Sequence, residues 1–106
     1  MKQKFQVRQG DVFLTRITEK IPAGSVKEKP DGGRLILARG EATGHHHSVI
    51  EDDAELIREG ERMLLNVLRE TALQHQEHAE ITLDPGLYEV RIQREYSPAE
   101  IRRVAD

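Results

Sequence analysis

All five histidines of the chain fall in two short windows, His45-His46-His47 and then His75 with His78. Imidazole is the usual nitrogen ligand for Zn, Fe, Ni or Cu. There is no cysteine, so no thiolate competes for that role. On a strand, His45 and His47 would share one face while His46 points to the other. His75 and His78 flank Glu77. A fold that converges the two windows would therefore offer four imidazoles and a carboxylate. The chemistry this favours is binding of one transition-metal ion (Zn, Fe or Ni) by His45, His47, His75 and His78. Glu77 would be a further ligand, an orienting partner or a general base, and it is the candidate catalytic residue. Three ligands with an open position would suit catalysis, and four closed ligands a structural ion. The plainer alternative is a set of surface or hydrogen-bonded histidines beside glycine turns.

Other site chemistries find less support. Gly40 and Gly44 bracket Thr43, but no Lys-Ser/Thr follows as in a phosphate-binding loop, and no Gly-x-Gly-x-x-Gly opens a helix. Those glycines read as turn residues. Ser48 adjoins His47, which on a strand sets the two on opposite faces and excludes a nucleophile–base pair. His75 and His78 are three apart, not the four of a zinc-protease helix. Asp11 after Gly10 reads as a turn residue. Arg94 and Tyr96 could meet a ligand, although an ion pair with Glu95 or Glu100 is the more ordinary use.

The elements that must position these residues are short. A length of 106 residues fits a single domain, 1–106, with one modest core. The hydrophobic fraction is 37% and the charged fraction 33%, which implies a thin core or apolar surface covered by a second subunit, so a homo-oligomer stays open. A net charge of -3 lacks the basic excess of a phosphate-binding domain, so no nucleic-acid partner is expected. The basic residues Arg94, Arg102 and Arg103 are interleaved with Glu95, Glu100 and Asp106 and read as a solvated face. The absence of cysteine, of a signal-like apolar run after Met1-Lys2-Gln3-Lys4 and of a membrane-length apolar stretch predicts a cytoplasmic location and no membrane contact.

Along the chain, Phe5, Val7, Val12, Phe13, Leu14 and Ile17 read as strands broken at Gln9-Gly10-Asp11. Val26 to Gly33 reads as an exposed loop, and Leu35-Ile36-Leu37-Ala38 as a buried strand. His45 to Glu51 is a strand, Asp52-Asp53 a hairpin turn into Ala54–Arg58, and Glu59-Gly60 a second turn. The stretch 61–83 is ambiguous. Leu64, Leu68, Ala72 and His75 sit near helical spacing, whereas Met63, Leu65, Val67, Thr71 and Leu73 alternate as in strands. Two strands meeting near Glu70 is the reading adopted, with a helix as the alternative. Asp84-Pro85-Gly86 is a turn. Leu87 to Tyr96 is the best amphipathic strand, with Tyr88, Val90 and Ile92 on one face. Ser97-Pro98-Ala99-Glu100 is a capping box that predicts a short C-terminal helix through Val104. The sum is a mainly β domain, a small barrel or sandwich of about eight short strands closed by that helix.

Several segments together resemble a family of small uncharacterised bacterial proteins: Gln9-Gly10-Asp11-Val12, Gly40 through His47, His75-Gln76-Glu77-His78, and Gln93 through Pro98 continuing to Ile101-Arg102-Arg103-Val104-Ala105-Asp106. The resemblance implies a Thr-Gly-His-x-His motif at Thr43, Gly44, His45 and His47, and a His-x-Glu-His motif at His75, Glu77 and His78. It sets His46 on a variable position and favours two strands around Glu70. It carries no activity. The His-x-His unit followed by Glu51 also resembles the first cupin motif. That match is incomplete, because no Pro-x-Gly precedes His75 and the interval from Glu51 to Gly60 is too long.

The function these residues imply is a small soluble metal-binding β-domain of unknown specific activity, its partner a small molecule or a protein. If it is an enzyme, a metal-dependent hydrolase or a cupin-like oxygenase or isomerase is the natural class. The alternative is a non-catalytic module that docks a protein partner and carries its histidines on the surface.

Overall fold

The computed structural model describes residues 6–40 and 44–93. Ten strands and one 3-10 turn account for its regular structure, in place of about eight strands. They are β1 (Gln6–Gln9), β2 (Val12–Ile17), β3 (Val26–Lys27), β4 (Arg34–Arg39), β5 (His46–Ile50), β6 (Ala54–Glu59), β7 (Arg62–Val67), β8 (Thr71–Leu73), β9 (Ile81–Leu83) and β10 (Gly86–Ile92). Phe5, Thr43 and Arg94 through Asp106, with the proposed C-terminal helix, lie outside the described residues.

Six strands form one antiparallel sheet in the order β1-β2-β10-β7-β6-β3. Two of its hairpins are set by glycine. Gln9 pairs with Val12 across Gly10-Asp11, and Glu59 pairs with Arg62 across Gly60-Glu61. Gly10 and Gly60 sit at φ 60° and 61° at the first turn position, which suits a type II′ turn and matches the twist of the flanking strands. β10 joins the halves, pairing with β2 from Leu87–Ile17 to Ile92–Val12 and with β7 from Gly86–Val67 to Val90–Met63. The sheet ends at β1 and β3 and does not close into a barrel.

β4 pairs with β5, and β8 with β9, as two small antiparallel ribbons. Ser48 and Gln74 join them, each donating its backbone N–H to the other's carbonyl at 3.0 and 2.9 Å. One apolar core unites both ribbons with the large sheet: Leu35, Leu37 and Val49 from the first, Leu73 and Leu83 from the second, and Val12, Leu14, Leu56, Leu65, Val67, Tyr88 and Val90 from the sheet. Each fully buried Leu or Val contributes about 1.5–3 kcal/mol, so this shared core holds the layers together. The Tyr88 hydroxyl, carried into that core, donates to Asp84 O at 2.7 Å, so no polar group is stranded there.

Several expectations need correction. Asp52-Asp53 is no hairpin turn. Glu51–Asp53 is a 3-10 turn that carries the chain from β5 into β6 of a different sheet. Within the stretch read as a loop, Val26–Lys27 forms a short strand on β6. For 61–83, strands prevail over helix. Asp53 O accepts from the backbone N–H of Leu68 at 2.8 Å and of Arg69 at 3.3 Å, and Asp53 Oδ2 accepts from Thr71 Oγ1 at 2.9 Å. These bonds turn the chain between β7 and β8 at the place where a helix would have had to continue. Leu68, an apolar position of the helical alternative, is left exposed.

Candidate metal centre

Three parts of the fold meet at one place: the β1–β2 turn, the start of β5, and the loop from Gln74 to Glu80 between β8 and β9. The last two carry the histidines. His47 is on β5 and is 5% exposed, on the same core-facing side as Val49. His75 and His78 are on the loop. One ligand atom from each of His47, His75 and His78 lies within 4.8 Å of the others. Ring centroids are 4.3 Å apart for His47–His75, 4.5 Å for His75–His78 and 5.6 Å for His47–His78. Nitrogens on a tetrahedral zinc ion stand roughly 3.3 Å apart, so a small inward movement of the loop rings would suffice.

His47 is held in one tautomer. Gln9, the last residue of β1, is buried, and its amide nitrogen donates to Leu73 O and Ala79 O, both at 2.9 Å. With both N–H groups spent, Gln9 Oε1 must face the ring, and it lies 2.8 Å from His47 Nδ1. An amide oxygen only accepts, so Nδ1 carries the proton and Nε2 carries the lone pair. That Nε2 is 3.6 Å from Asp11 Oδ1. Two electron-rich atoms thus face one another with no proton between them.

Burial, followed by the neighbouring His75, pushes the His47 pKa down to about 4, against a smaller opposing effect from Asp11. Burial and His78 likewise lower that of His75. Both rings are accordingly neutral near pH 7, the form a metal requires. His75 Nδ1 accepts the backbone N–H of Glu77 at 3.0 Å, so the neutral ring carries its proton on Nε2, and a metal on His75 requires that bond or that tautomer to give way.

Gly10 lets the N-terminal turn lie against this cluster. A Cβ on Gly10 would fall 2.7 Å from His78 Nε2 and 3.3 Å from His47 Cε1. The glycine therefore answers two demands at once, its positive φ and the close approach of two imidazoles.

The structure brings His47, His75 and His78 together and leaves His45 beside them. His45 immediately precedes β5 and, like His47, lies against His75. Its Nδ1 lies 3.0 Å from Glu77 Oε1, and its ring meets that of His75 edge-on at 5.6 Å. Glu77 is an exposed partner of His45. His46 does occupy the opposite face, with Ser48, but it borders a pocket, and its Nδ1 is buried with no hydrogen-bond partner.

Sequence reasoning missed Gln9 and treated Asp11 as a turn residue alone. A signal for Gln9 was present: it shares strand parity with the part-buried Val7, so a polar side chain stands at an inward position. Among the described residues no helix is long and apolar enough to cross a membrane.

No curated protein and no solved structure matches the chain. A family model does match, over residues 8–93, which takes in the end of β1, all of β2 to β10 and every residue of the histidine cluster. The chain belongs to that family, described as a domain of unknown function, DUF8820.

Proposed function

We propose that the domain binds one divalent transition-metal ion through His47, His75 and His78, with Asp11 as a fourth donor or as the partner of a bound water. The observation that carries this reading is the locked tautomer. Gln9 leaves His47 Nε2 unprotonated and facing Asp11 Oδ1 at 3.6 Å. A cation between two lone pairs is what relieves that arrangement. Three imidazoles suit Zn, Fe or Ni, and a site with few protein ligands keeps a position open, as catalytic sites do. The chemistry supplied there is Lewis acidity toward water or a small-molecule oxygen. His45 and Glu77 form a hydrogen-bonded pair at the rim, suited to move a proton to or from a group held at the centre.

Titration of EDTA-treated protein with zinc, and with cobalt(II) read by its visible absorption, tests the proposal. One equivalent should bind, and His47→Ala should weaken binding by about two orders of magnitude or more. Equal zinc binding by wild type and a His47→Ala/His75→Ala double variant would overturn the assignment.

A further inference from the structure

Beside the histidine cluster lies a pocket of about 310 Å³, lined by Arg34, His46, Ser48, Gln74, His75 and Gln76. Its volume is at the lower end of those that hold small molecules. His75 is common to the pocket and to the histidine cluster, so the two are contiguous.

The guanidinium of Arg34 is built into this wall. Its Nε donates to Ser48 Oγ at 2.7 Å, and its Nη2 donates to Ser48 O at 3.3 Å and to Gln74 Oε1 at 2.7 Å. The Gln74 amide is oriented in turn by its donation to Glu80 Oε1 at 2.8 Å. Three donors are thus spent on neutral acceptors. They fix the plane of the guanidinium and leave both N–H groups of Nη1 without an acceptor among the described residues.

Arg34 also forms no direct ion pair among the described residues. Arg39, Arg58, Arg62 and Arg69 hold carboxylates at 2.6–3.2 Å, and Arg91 faces Glu89 at 3.9 Å. Arg8 and Arg16 lie over Phe13 and Tyr88. Among the described arginines, only Arg34 has neither partner. His46, on the same wall, donates its backbone N–H to Gln76 Oε1 at 2.8 Å and carries the unpartnered Nδ1.

We propose that this pocket binds the carboxylate of a small organic acid on Arg34 Nη1, with the body of the acid lying against His75. With Nε and Nη2 spent, Nη1 offers charge-assisted donors from a single nitrogen, enough for one oxygen of an anion. Asp53, Glu70 and Glu80 border the neighbouring depression that Arg34 also lines, and their charge disfavours a doubly charged phosphate. That the acid is the substrate of the metal centre rests on the reading above; that the pocket takes a carboxylate does not.

The test is an NMR titration of EDTA-treated and zinc-loaded protein with benzoate, acetate and inorganic phosphate. Benzoate should shift the Arg34 side-chain Nε–H and the amides of His46 and Gln76 in both forms, with a dissociation constant of about a millimolar, as suits a ligand of few atoms. Arg34→Gln should weaken binding about tenfold or more, and Arg34→Lys, which keeps the charge without the bonds to Ser48 and Gln74 that fix its position, severalfold. Should Arg34→Gln fail to fold, Arg34→Lys still decides. Absence of a saturable shift, unchanged affinity in a folded Arg34 variant, or tighter binding of phosphate at the same residues would overturn the proposal. Benzoate binding by protein that takes up no zinc would sustain the pocket and defeat only the metal reading. Zinc binding without benzoate binding would do the reverse.

Discussion

Gln9 Oε1 stands 2.8 Å from His47 Nδ1, and this contact decides which nitrogen of the imidazole is available. The consequence is measurable. Long-range ¹H–¹⁵N spectra of the metal-free protein should show His47 as the Nδ1–H tautomer. Gln9→Leu should lose that preference and weaken zinc binding by about 10- to 100-fold, the usual effect of removing a residue that orients a ligand. It should also cost roughly 2–3 kcal/mol, because Leu73 O and Ala79 O lose their donors. Finding His47 as Nε2–H in the wild type would remove the basis of the site.

Gly10 and Gly60 make an internal control. Both begin two-residue hairpin turns, at φ 60° and 61°, but nothing lies within 4 Å of a Cβ on Gly60. Alanine at either should cost about 1–2 kcal/mol for the left-handed backbone. Only Gly10→Ala should also displace His78 and reduce zinc affinity, by about tenfold or more. Equal zinc affinity in the two variants would show that the approach of Gly10 to the imidazoles is incidental.

Stability of the metal-free protein should fall on acidification. The His47 pKa is about 4 in the fold, below its ordinary value of 6.5, so the unfolded chain binds the proton more readily. The neutral ring's contribution is fully present above pH 6.5, declines as pH falls toward 4, and is lost below that. The window is worth roughly 3 kcal/mol, with His75 acting in the same direction. Urea unfolding of wild type and His47→Gln across pH 4–7 checks this. The slope should flatten in the variant, and parallel profiles would contradict it.

His45 and Glu77 should separate from the triad in their effects. If they serve as a proton-handling pair at the rim, His45→Ala and Glu77→Gln should change zinc affinity by no more than a fewfold, while His47→Ala, His75→Ala and His78→Ala should each change it much more. Isothermal titration of the five variants distinguishes a three-histidine site from a four-histidine one. A loss in His45→Ala as large as in His47→Ala would restore His45 as a ligand.

Much of this was legible in the residues because it depends on local rules. Alternation along Val12–Leu14 and Tyr88–Val90, and the turns at Gly10, Gly60 and Pro85, follow from strand period and backbone sterics. Both histidine windows were visible as ligand chemistry. What could not be read is which imidazoles would meet. Parity placed His45 with His47, and both rings do meet His75, but the converging ligand atoms are those of His47, His75 and His78. The bend near Glu70 depends on Asp53, a residue distant in sequence, and no local pattern encodes that partner. The roles of Gln9 and Arg34 are likewise tertiary: each is defined by what lies across a layer, not by its neighbours in the chain.

The two bonds from the Gln9 amide have a kinetic meaning as well. They span sequence separations of 64 and 70 residues, so the cradle of His47 exists only after the first strand has met the eighth and the loop beyond it. Contacts of such range form late, once the entropy of closing long loops has been overcome. A nascent or partly folded chain would display the same five histidines without the tautomer lock. Tight metal uptake would therefore report completed folding, and a chain truncated before residue 79 would not show it.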